Sequence, residues 1–317
     1  MSRMIEVEGL TKRYGRFLAL DNIGFAVSQG EIVGFLGPNG AGKTTTMRIL
    51  TGYMPPTAGR ARVAGFDVLE DSLAVRQHVG YLPETVRLYR EMTVRGYLKF
   101  LGQLRQVEHL RTRIDEVLEL VGLRERAGRL IRSLSKGMQQ RLGLAQAILH
   151  DPPVLILDEP TIGLDPHQVQ DLRRLIRQLG QTHTVLLSTH ILSEAEQLCD
   201  RVIIIDRGRI VAENTPDNLR DSLSRRSRLY VRVGKARPDL DVMRVLSGVR
   251  GVTGVEPTAD GYLLSAQPHD DIRPAVAAAI VAAGLPLLEM RPWAVTLEEI
   301  FLELTVSLDA PREGRHA

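Results

Sequence analysis

The stretch GFLGPNGAGKTTT, residues 34–46, places glycine, lysine and threonine in the spacing G-x-x-x-x-G-K-T. A strand-like apolar run precedes this spacing, and an apolar helical pattern follows it at Met47, Ile49 and Leu50. A loop between a strand and a helix lets backbone N–H groups and the helix N-terminus converge on phosphate oxygens. The stretch therefore predicts a phosphate-binding loop. A glycine-rich turn without a ligand is the alternative, and the flanking strand and helix disfavour it.

The residues of this loop have candidate roles in binding a nucleotide and its metal ion. We expect Lys43 to reach the β- and γ-phosphates and Thr44 to bind Mg²⁺. The nucleotide-binding residues predicted in the loop are Gly37, Pro38, Asn39, Gly40, Ala41, Gly42, Lys43, Thr44 and Thr45.

A second stretch, LILDEPTIGLDP at residues 155–166, ends an apolar strand with two adjacent carboxylates, Asp158 and Glu159. Burial makes such charges costly, so the pair needs partners. Because side chains alternate along an extended strand, the two carboxylates should point to different places. We predict that Asp158 holds Mg²⁺ together with Thr44, and that Glu159 accepts a proton from the water that attacks the γ-phosphate. A solvated strand end is the alternative interpretation of the pair.

Hydrophobic periodicity predicts an α/β domain over residues 1–220, with a helical insert at about 88–150. Residues 4–36 alternate apolar and polar in short strand-like pieces. Within the insert the apolar residues recur at helical spacing, in the sets Val94, Tyr97, Leu98, Leu101 and Ile114, Val117, Leu118, Val121. Strand-like runs return at 154–157, 184–187 and 202–205, separated by helical segments. This alternation is typical of a parallel sheet with crossover helices.

The pattern restarts beyond residue 220 and predicts a small α+β domain over 221–307, followed by a tail at 308–317. Its predicted order is strand 229–233, helix 239–247, strand 252–256, strand 261–265, helix 271–283 and strand 286–290. This is the βαββαβ order of a ferredoxin-like unit. Thr296 and Glu299 have the spacing of a capping box, which predicts a final helix carrying Ile300, Phe301 and Leu304.

The composition is that of a soluble globular protein, with 44% hydrophobic and 25% charged residues. The formal net charge of +3 is too small for a nucleic-acid-binding surface, so we predict no nucleic-acid partner.

The longest nearly uncharged run, residues 275–288, is too short to span a bilayer, and the N-terminus lacks the apolar core of a signal peptide. The single cysteine, Cys199, favours a reducing cytosol. The eight histidines show no zinc-ligand spacing.

Three further motifs follow in order, namely LSKGMQQR at 134–141, GLDP at 163–166 and STH at 188–190. Together with the two stretches above, they make residues 1 to about 215 resemble the ATP-binding subunit of an ABC transporter. The resemblance implies a P-loop ATPase of ABC type that uses ATP and Mg²⁺. It also implies a homodimer, in which two copies face head to tail and each ATP lies between the phosphate-binding loop of one copy and the signature segment of the other.

The resemblance adds candidate residues outside the two stretches. Ser135 and Gly137 match the signature positions, at a predicted helix start where N–H groups favour the γ-phosphate of the partner's nucleotide. Asp165 matches the aspartate that crosses the dimer interface, and Tyr14 matches the aromatic residue that stacks on adenine. His190 matches the histidine that contacts the γ-phosphate. The implied catalytic residues are Glu159, His190 and Lys43.

Some positions differ from the common family pattern. Lys136 and Met138 stand where many members have Gly and Gln, and Glu84 stands where most have a glutamine. Glu84 can still reach the Mg²⁺ shell, so the implied metal ligands are Thr44, Glu84 and Asp158. These variants and the ending VTLEEIFLELT at 295–305 resemble the drug-resistance and gliding-motility branch of ABC-2 type exporters, whose members carry a small C-terminal domain.

The resemblance implies a transport ATPase that dimerises on ATP at the cytoplasmic face of the membrane and powers a separate integral-membrane permease, in the direction of export. A non-transport ABC-type ATPase acting on DNA or ribosomes is the alternative. The sequence lacks the long coiled-coil heptads, second ATP site or large basic face that this alternative needs. A module that binds ATP without hydrolysis is a third possibility, and the presence of both Glu159 and His190 disfavours it.

The segment 84–93 links Glu84 to the start of the predicted insert. Its apolar residues have no clear core period, and they are Val86, Leu88, Tyr89 and Met92. One interpretation is that they pack within the insert. The interpretation that we favour is that they form part of a cleft that receives a cytoplasmic helix of the permease.

Overall fold

The computed structural model describes residues 2–219, 228–234, 241–266 and 271–292. The chain separates into two units, Met1–Pro216 and Asp217–Ala317. The sequence predicted a domain boundary after residue 220. The predicted final helix beginning at Thr296 lies outside the described residues.

The first unit contains both β-strands and α-helices. The strands are β1 (Arg3–Tyr14), β2 (Phe17–Ser28), β3 (Ile32–Leu36), β4 (Ala58–Val63), β5 (Phe66–Asp67), β6 (Val79–Leu82), β7 (Val154–Asp158), β8 (Thr184–Thr189), β9 (Arg201–Asp206) and β10 (Arg209–Asn214). The α-helices are α1 (Lys43–Leu50), α2 (Ser72–His78), α3 (Val94–Leu104), α4 (Leu110–Leu120), α5 (Lys136–Ile148), α6 (Pro166–Gly180) and α7 (Leu192–Leu198).

A six-stranded sheet lies at the centre of this unit, in the order β10-β9-β3-β8-β7-β6. Strands β9, β3, β8, β7 and β6 are parallel to one another, and the edge strand β10 is antiparallel to β9. Strands β3, β7 and β8 are buried along their whole length, which explains why their sequences are almost uninterrupted apolar runs. Because parallel strands end at one edge of a sheet, the residues that follow β3, β7 and β8 meet there.

A second, antiparallel sheet has the order β2-β1-β4-β5. Alternate residues of β2, namely Ile23, Phe25 and Val27, are buried, which agrees with the alternation predicted for residues 4–36. They join a core that also contains Phe35 of β3 and Met47 of α1. Helix α1, which follows the phosphate-binding loop, is therefore fixed to both sheets by apolar packing.

Helices α3, α4 and α5 form the predicted insert. Val94, Tyr97 and Leu98 are buried on α3, and the predicted apolar set of α4 is buried at Ile114, Val117 and Leu118. The Thr93 hydroxyl caps α3 by accepting a 3.0 Å hydrogen bond from the Gly96 N–H group. The predicted α/β class with a helical insert is confirmed. Within the described residues, we find no helix with the length and apolarity needed to cross a bilayer.

The second unit contains strands β11 (Arg228–Val233), β12 (Val252–Pro257), β13 (Tyr262–Ala266) and β14 (Leu287–Pro292), with helices α8 (Val242–Ser247) and α9 (Arg273–Ala282). They follow one another in the predicted βαββαβ order. The sheet order is β12-β13-β11-β14, and all neighbouring strands are antiparallel. Leu246 of α8 and Ile280 of α9 belong to one apolar core with Val231 and Leu264 of the sheet.

We expect a chain that ends at Asn218 to remain soluble and to bind ATP. The six-stranded sheet is complete at Asn214. The apolar core of the first unit includes residues from Ile5 to those of β9 and β10, whereas the apolar core of the second unit begins at Leu229. Two separate cores are typical of two domains that fold independently. Gel filtration and titration with a fluorescent ATP analogue would test this, with the full chain as the control. Aggregation of the shortened chain would show that the two units depend on one core.

Candidate functional site

The loop between β3 and α1 requires glycine at two positions for different reasons. A Cβ atom at Gly37 would overlap the carbonyl oxygen of Ile205, so the chain passes too close to β9 for a side chain. Gly42 has a φ of 112°, in the left-handed region that favours glycine, and a Cβ atom there would lie 2.8 Å from the Ala19 carbonyl oxygen. These constraints direct the loop's backbone around the start of α1.

Lys43, the first residue of α1, is only 5% exposed. Its ammonium group donates a 2.7 Å hydrogen bond to the Gly37 carbonyl oxygen and lies 3.2 Å from Oε1 of Glu159. The lysine is therefore folded back over the loop and paired with an acid of β7's carboxyl end. A phosphate that approaches this ammonium group competes with the Glu159 carboxylate for it.

Asp158, the last residue of β7, is fully buried. Its Oδ1 atom accepts a 2.6 Å hydrogen bond from the Ser188 hydroxyl and a 3.4 Å hydrogen bond from the Thr44 hydroxyl. Its Oδ2 atom is buried and has no hydrogen-bond partner among the described residues. Burial raises the pKa of Asp158, against the effect of the two hydroxyl hydrogen bonds, and the nearby Glu84 and Glu159 carboxylates raise it further. A cation at Oδ2 would satisfy this oxygen and favour the ionised carboxylate.

Glu159 diverges from Asp158 for a reason that differs from the predicted one. The strand ends at Asp158, and Glu159 has a φ of 48°, so it lies in a left-handed turn rather than in an alternating extended strand. Its N–H group donates a 2.9 Å hydrogen bond to the Ser188 hydroxyl, which fixes the turn to β8. The turn aims the carboxylate at Lys43 on one side and at His190 on the other, where Nδ1 lies 2.9 Å from Oε2.

Ser188 was not assigned a role from the sequence, although it lies in the STH motif. Its hydroxyl contacts both Asp158 and the backbone of Glu159. In the β7–β8 register, Asp158 and Ser188 are paired Cα partners. The sequence shows that both strands end in polar residues, but not that the two strands are neighbours, and only this neighbourhood identifies Ser188.

Most of the predicted nucleotide-binding residues of one copy meet in a single cleft of about 520 Å³, whereas Gly37 and Ala41 of the loop do not line it. The predicted residues that line it are Tyr14, Pro38, Asn39, Gly40, Gly42, Lys43, Thr44, Thr45, Glu84, Glu159 and His190. Phe17, which the sequence did not single out, lines the same cleft and is 62% exposed. It is the cross-strand partner of Tyr14, so two partly exposed aromatic rings stand at the rim. Flat exposed rings are suited to stacking on a base.

Ser135, Gly137 and Asp165 do not line this cleft. Ser135 caps α5 by accepting a hydrogen bond from the Met138 N–H group, and Asp165 caps α6 by accepting one from the Gln168 N–H group. The Gln168 side chain lies directly against Gly137, so a Cβ atom there would displace the Gln168 amide group. The three predicted residues therefore lie together away from the cleft, where the starts of α5 and α6 form a separate surface and Gly137 is buried against the Gln168 side chain.

Lys136, one of the positions that differ from the family pattern, lies on the same surface. Gly163 has a φ of 68°, and a Cβ atom at this position would overlap the Lys136 ammonium group. The lysine therefore lies against the GLDP turn. Gly163 of this turn, which has no side chain, leaves space for the lysine that replaces the common glycine at position 136.

Comparisons with known proteins agree on one family. A family model described as ABC transporter matches residues 20–162. The chain is 38% identical over 313 residues to the daunorubicin resistance ATP-binding protein DrrA3 of Streptomyces coeruleorubidus, and the match covers 95% of each protein. It is 42% identical over 233 residues to the bacitracin transport ATP-binding protein BcrA of Bacillus licheniformis, covering 73% of this chain and 74% of that protein.

A solved structure is similar to most of the chain. It is a dimeric post-hydrolysis state of an ATP-binding cassette bound to ADP and Pi, with a TM-score of 0.60 and 26% sequence identity. The similarity covers 67% of this chain and 98% of that chain.

Proposed function

The chain belongs to the family of ATP-binding subunits of ABC transporters, which are ATPases, and we propose that two copies close on Mg-ATP and drive a separate ABC-2 type permease. One observation carries this proposal, which is that Lys43, the Thr44–Asp158 contact and the Glu159–His190 pair converge at one cleft. A phosphate, a divalent cation and an attacking water each find a matching group at this place.

We assign Mg²⁺ to Asp158 and Thr44. The buried Oδ2 atom of Asp158 and the Thr44 hydroxyl are oxygen donors of the kind that Mg²⁺ prefers. No group of three or more His, Cys, Asp or Glu side chains in the described part of the chain is arranged to hold a metal ion, so phosphate and water oxygens would complete the shell. When bound, the ion neutralises phosphate charge. Glu84 lines the same cleft and is a third candidate ligand.

Glu159 is the group that we assign to proton abstraction from the attacking water. His190 holds its Oε2 atom, and Lys43 holds its Oε1 atom. When phosphates engage Lys43, the Oε1 atom loses its partner and becomes available to a water molecule, while the His190 contact keeps the carboxylate in position. Phosphate binding thus prepares the base by removing its competing ion pair.

The second part of each ATP site is proposed to come from the partner copy. Ser135 and Gly137 lie at the start of α5, where backbone N–H groups favour a phosphate, and this start is outside the copy's own cleft. Asp165 begins the neighbouring helix. A head-to-tail homodimer would bring these groups to the γ-phosphate, and the related cassette bound to ADP and Pi is dimeric.

Export is proposed because two relatives are named for daunorubicin resistance and bacitracin transport. Both names belong to ATP-binding proteins of drug resistance or transport, and on this basis we propose an ABC-2 type exporter that acts at the cytoplasmic face of the membrane. They give no support to the alternative of an ATPase acting on DNA or ribosomes.

The surface around Tyr89 is the proposed docking site for the permease. Tyr89 is 57% exposed, and its ring lies 5.8 Å from the ring of Tyr97 and 5.9 Å from that of Phe100. Of the other predicted docking residues, Val86, Leu88 and Met92 are half-buried, and Val86 packs against Gly143 of α5. Tyr89 lies within the segment 84–93, and together with Phe100, which is 36% exposed, it forms an exposed aromatic pair. This pair is suited to receive an apolar side of a permease helix.

Tyr89→Asp is expected to abolish copurification with the permease and to leave the basal ATPase of the isolated subunit within about twofold of the parent value. A charge at this position disrupts apolar docking, whereas Tyr89→Phe retains the ring and should retain the complex. Leu88→Asp tests the same surface from a half-buried position. Copurification is measured after coexpression and mild detergent extraction, and basal hydrolysis is measured on the subunit purified alone. Loss of basal hydrolysis in Tyr89→Asp would instead show that this ring packs as part of the ATPase fold.

A further inference from the structure

Glu194 of α7 is a buried carboxylate whose partners come from three separate segments. It is 4% exposed. Its Oε2 atom accepts a 2.7 Å hydrogen bond from the Thr161 hydroxyl and a 3.2 Å hydrogen bond from the Thr189 hydroxyl. Its Oε1 atom lies 3.3 Å from a guanidinium nitrogen of Arg173 on α6. One side chain therefore connects positions that are up to 33 residues apart in sequence.

Each of these segments carries a residue of the proposed ATP site. Thr161 follows Glu159 by two positions, and Thr189 immediately precedes His190. The Thr189 hydroxyl also accepts a 3.0 Å hydrogen bond from the Ile191 N–H group, so both sides of the histidine are tied to it. Arg173 belongs to the helix that begins after Asp165.

The carboxylate is not explained by packing alone. Leu192, Ala195 and Leu198 of the same short helix are buried apolar residues, and an apolar side chain would fill the space at position 194 without the cost of burying a charge. A carboxylate is suited to this place because it can accept two hydroxyl hydrogen bonds and pair with a guanidinium group at the same time.

We propose that Glu194 is a positioning residue for ATP hydrolysis, which holds the Glu159 and His190 segments at the separation that their 2.9 Å contact requires and links both to α6. This inference rests on the proposed roles of Glu159 and His190. The partners of Glu194 lie outside the phosphate-binding loop, so its effect falls on hydrolysis rather than on nucleotide binding.

Glu194→Ala is expected to lower kcat by about 10- to 100-fold, because small displacements of reacting groups have effects of this size. The dissociation constant for a fluorescent ATP analogue should stay within about twofold of the parent value. Glu194→Gln distinguishes the effect of the hydroxyl hydrogen bonds from that of the ion pair with Arg173. Its amide oxygen can accept both hydroxyl hydrogen bonds while the ion pair with Arg173 is lost, so its kcat should lie between those of the parent and Glu194→Ala.

Substitutions of the threonines isolate the hydroxyl contribution. Thr189→Val and Thr161→Val remove the donors, and each should lower kcat by about three- to tenfold, the range that the net contribution of a typical hydrogen bond predicts. Thr189→Val also removes the acceptor of the Ile191 N–H hydrogen bond. Thr189→Ser and Thr161→Ser retain the hydroxyl and should restore kcat. Glu31→Gln is the control for general destabilisation, because it breaks the Glu31–Arg201 ion pair without touching the proposed site, and its kcat should be unchanged.

A double substitution tests whether Glu194 acts through the histidine. In a His190→Ala background, Glu194→Ala should lower kcat by much less than in the parent, because residues that act as one unit are not additive. Full additivity would overturn the proposal, as would an equal loss of ATP affinity and kcat, or a kcat loss that Glu31→Gln reproduces at the same melting temperature. If Glu159→Gln also retains turnover, the proposed catalytic roles fail. If Glu159→Gln is inactive and Glu194→Ala is normal, only the positioning role fails.

Discussion

Glu159→Gln is expected to lower ATP turnover by the purified chain by about 10²- to 10⁴-fold, the usual contribution of a positioned general base. The amide is nearly isosteric with the carboxylate and can keep a hydrogen bond to His190, so the turn at Glu159 should be preserved. What it loses is the ability to accept a proton from water. Steady-state phosphate release in the presence of Mg²⁺ measures this loss.

Nucleotide binding should not suffer in the same variant. In the parent, the Glu159 carboxylate competes with phosphate for the Lys43 ammonium group, which lies 3.2 Å away. The neutral amide removes this competitor, so the affinity for ATP should be equal to or higher than that of the parent. Gel filtration with Mg-ATP should then show a stable dimer, because ATP binds and is not hydrolysed. A variant with normal turnover would exclude Glu159 as the base, and a monomer at saturating ATP would contradict the proposed ATP-dependent closure.

Sequence reasoning succeeded where a local pattern has one physical cause. The apolar runs of β3, β7 and β8 are strands buried on both faces. The 3.6-residue apolar period of the insert is compatible only with helices, which the structure contains as α3 and α4. The loop from Gly37 to Gly42 was recognisable because steric contact with β9 and a left-handed backbone both demand glycine.

Contacts that depend on the order of strands were not predictable. Strand β8 lies between β3 and β7, and this order brings Ser188 beside Asp158 and places His190 near Glu159. Nothing in the local sequence of these strands specifies which neighbours they take. The link from Glu194 to Thr161 and Thr189 has the same origin.

The conformation of Glu159 was also outside the reach of a periodicity argument. The alternation of side chains holds only while the strand continues, and the strand ends one residue earlier. The left-handed backbone of a non-glycine residue is a strained feature that persists only when surrounding contacts maintain it, here the hydrogen bond from its N–H group to Ser188. Its pairing with Lys43 follows from this turn and not from the strand.

Lys43→Ala is expected to weaken ATP binding by about 10- to 100-fold, since a hydrogen bond to a charged group contributes about 1.5–3 kcal/mol. The ammonium group interacts with phosphates in the ground state as well as in the transition state, so the loss should be visible in binding and not only in turnover. Titration with a fluorescent ATP analogue gives the dissociation constant. Unchanged affinity would contradict the assignment of Lys43 to the phosphates.

The same substitution should also destabilise the fold, because it leaves the Glu159 carboxylate, 6% exposed, without its cationic partner. Breaking a buried ion pair from one side costs about 3 kcal/mol or more, which chemical denaturation can resolve. Adding Glu159→Gln removes the unpaired charge, so the double variant Lys43→Ala/Glu159→Gln should recover most of the stability and none of the ATP affinity. If stability and affinity recover together, the binding defect of Lys43→Ala comes from damage to the fold. If neither the single nor the double substitution alters stability, the Lys43–Glu159 contact contributes nothing to the folded state.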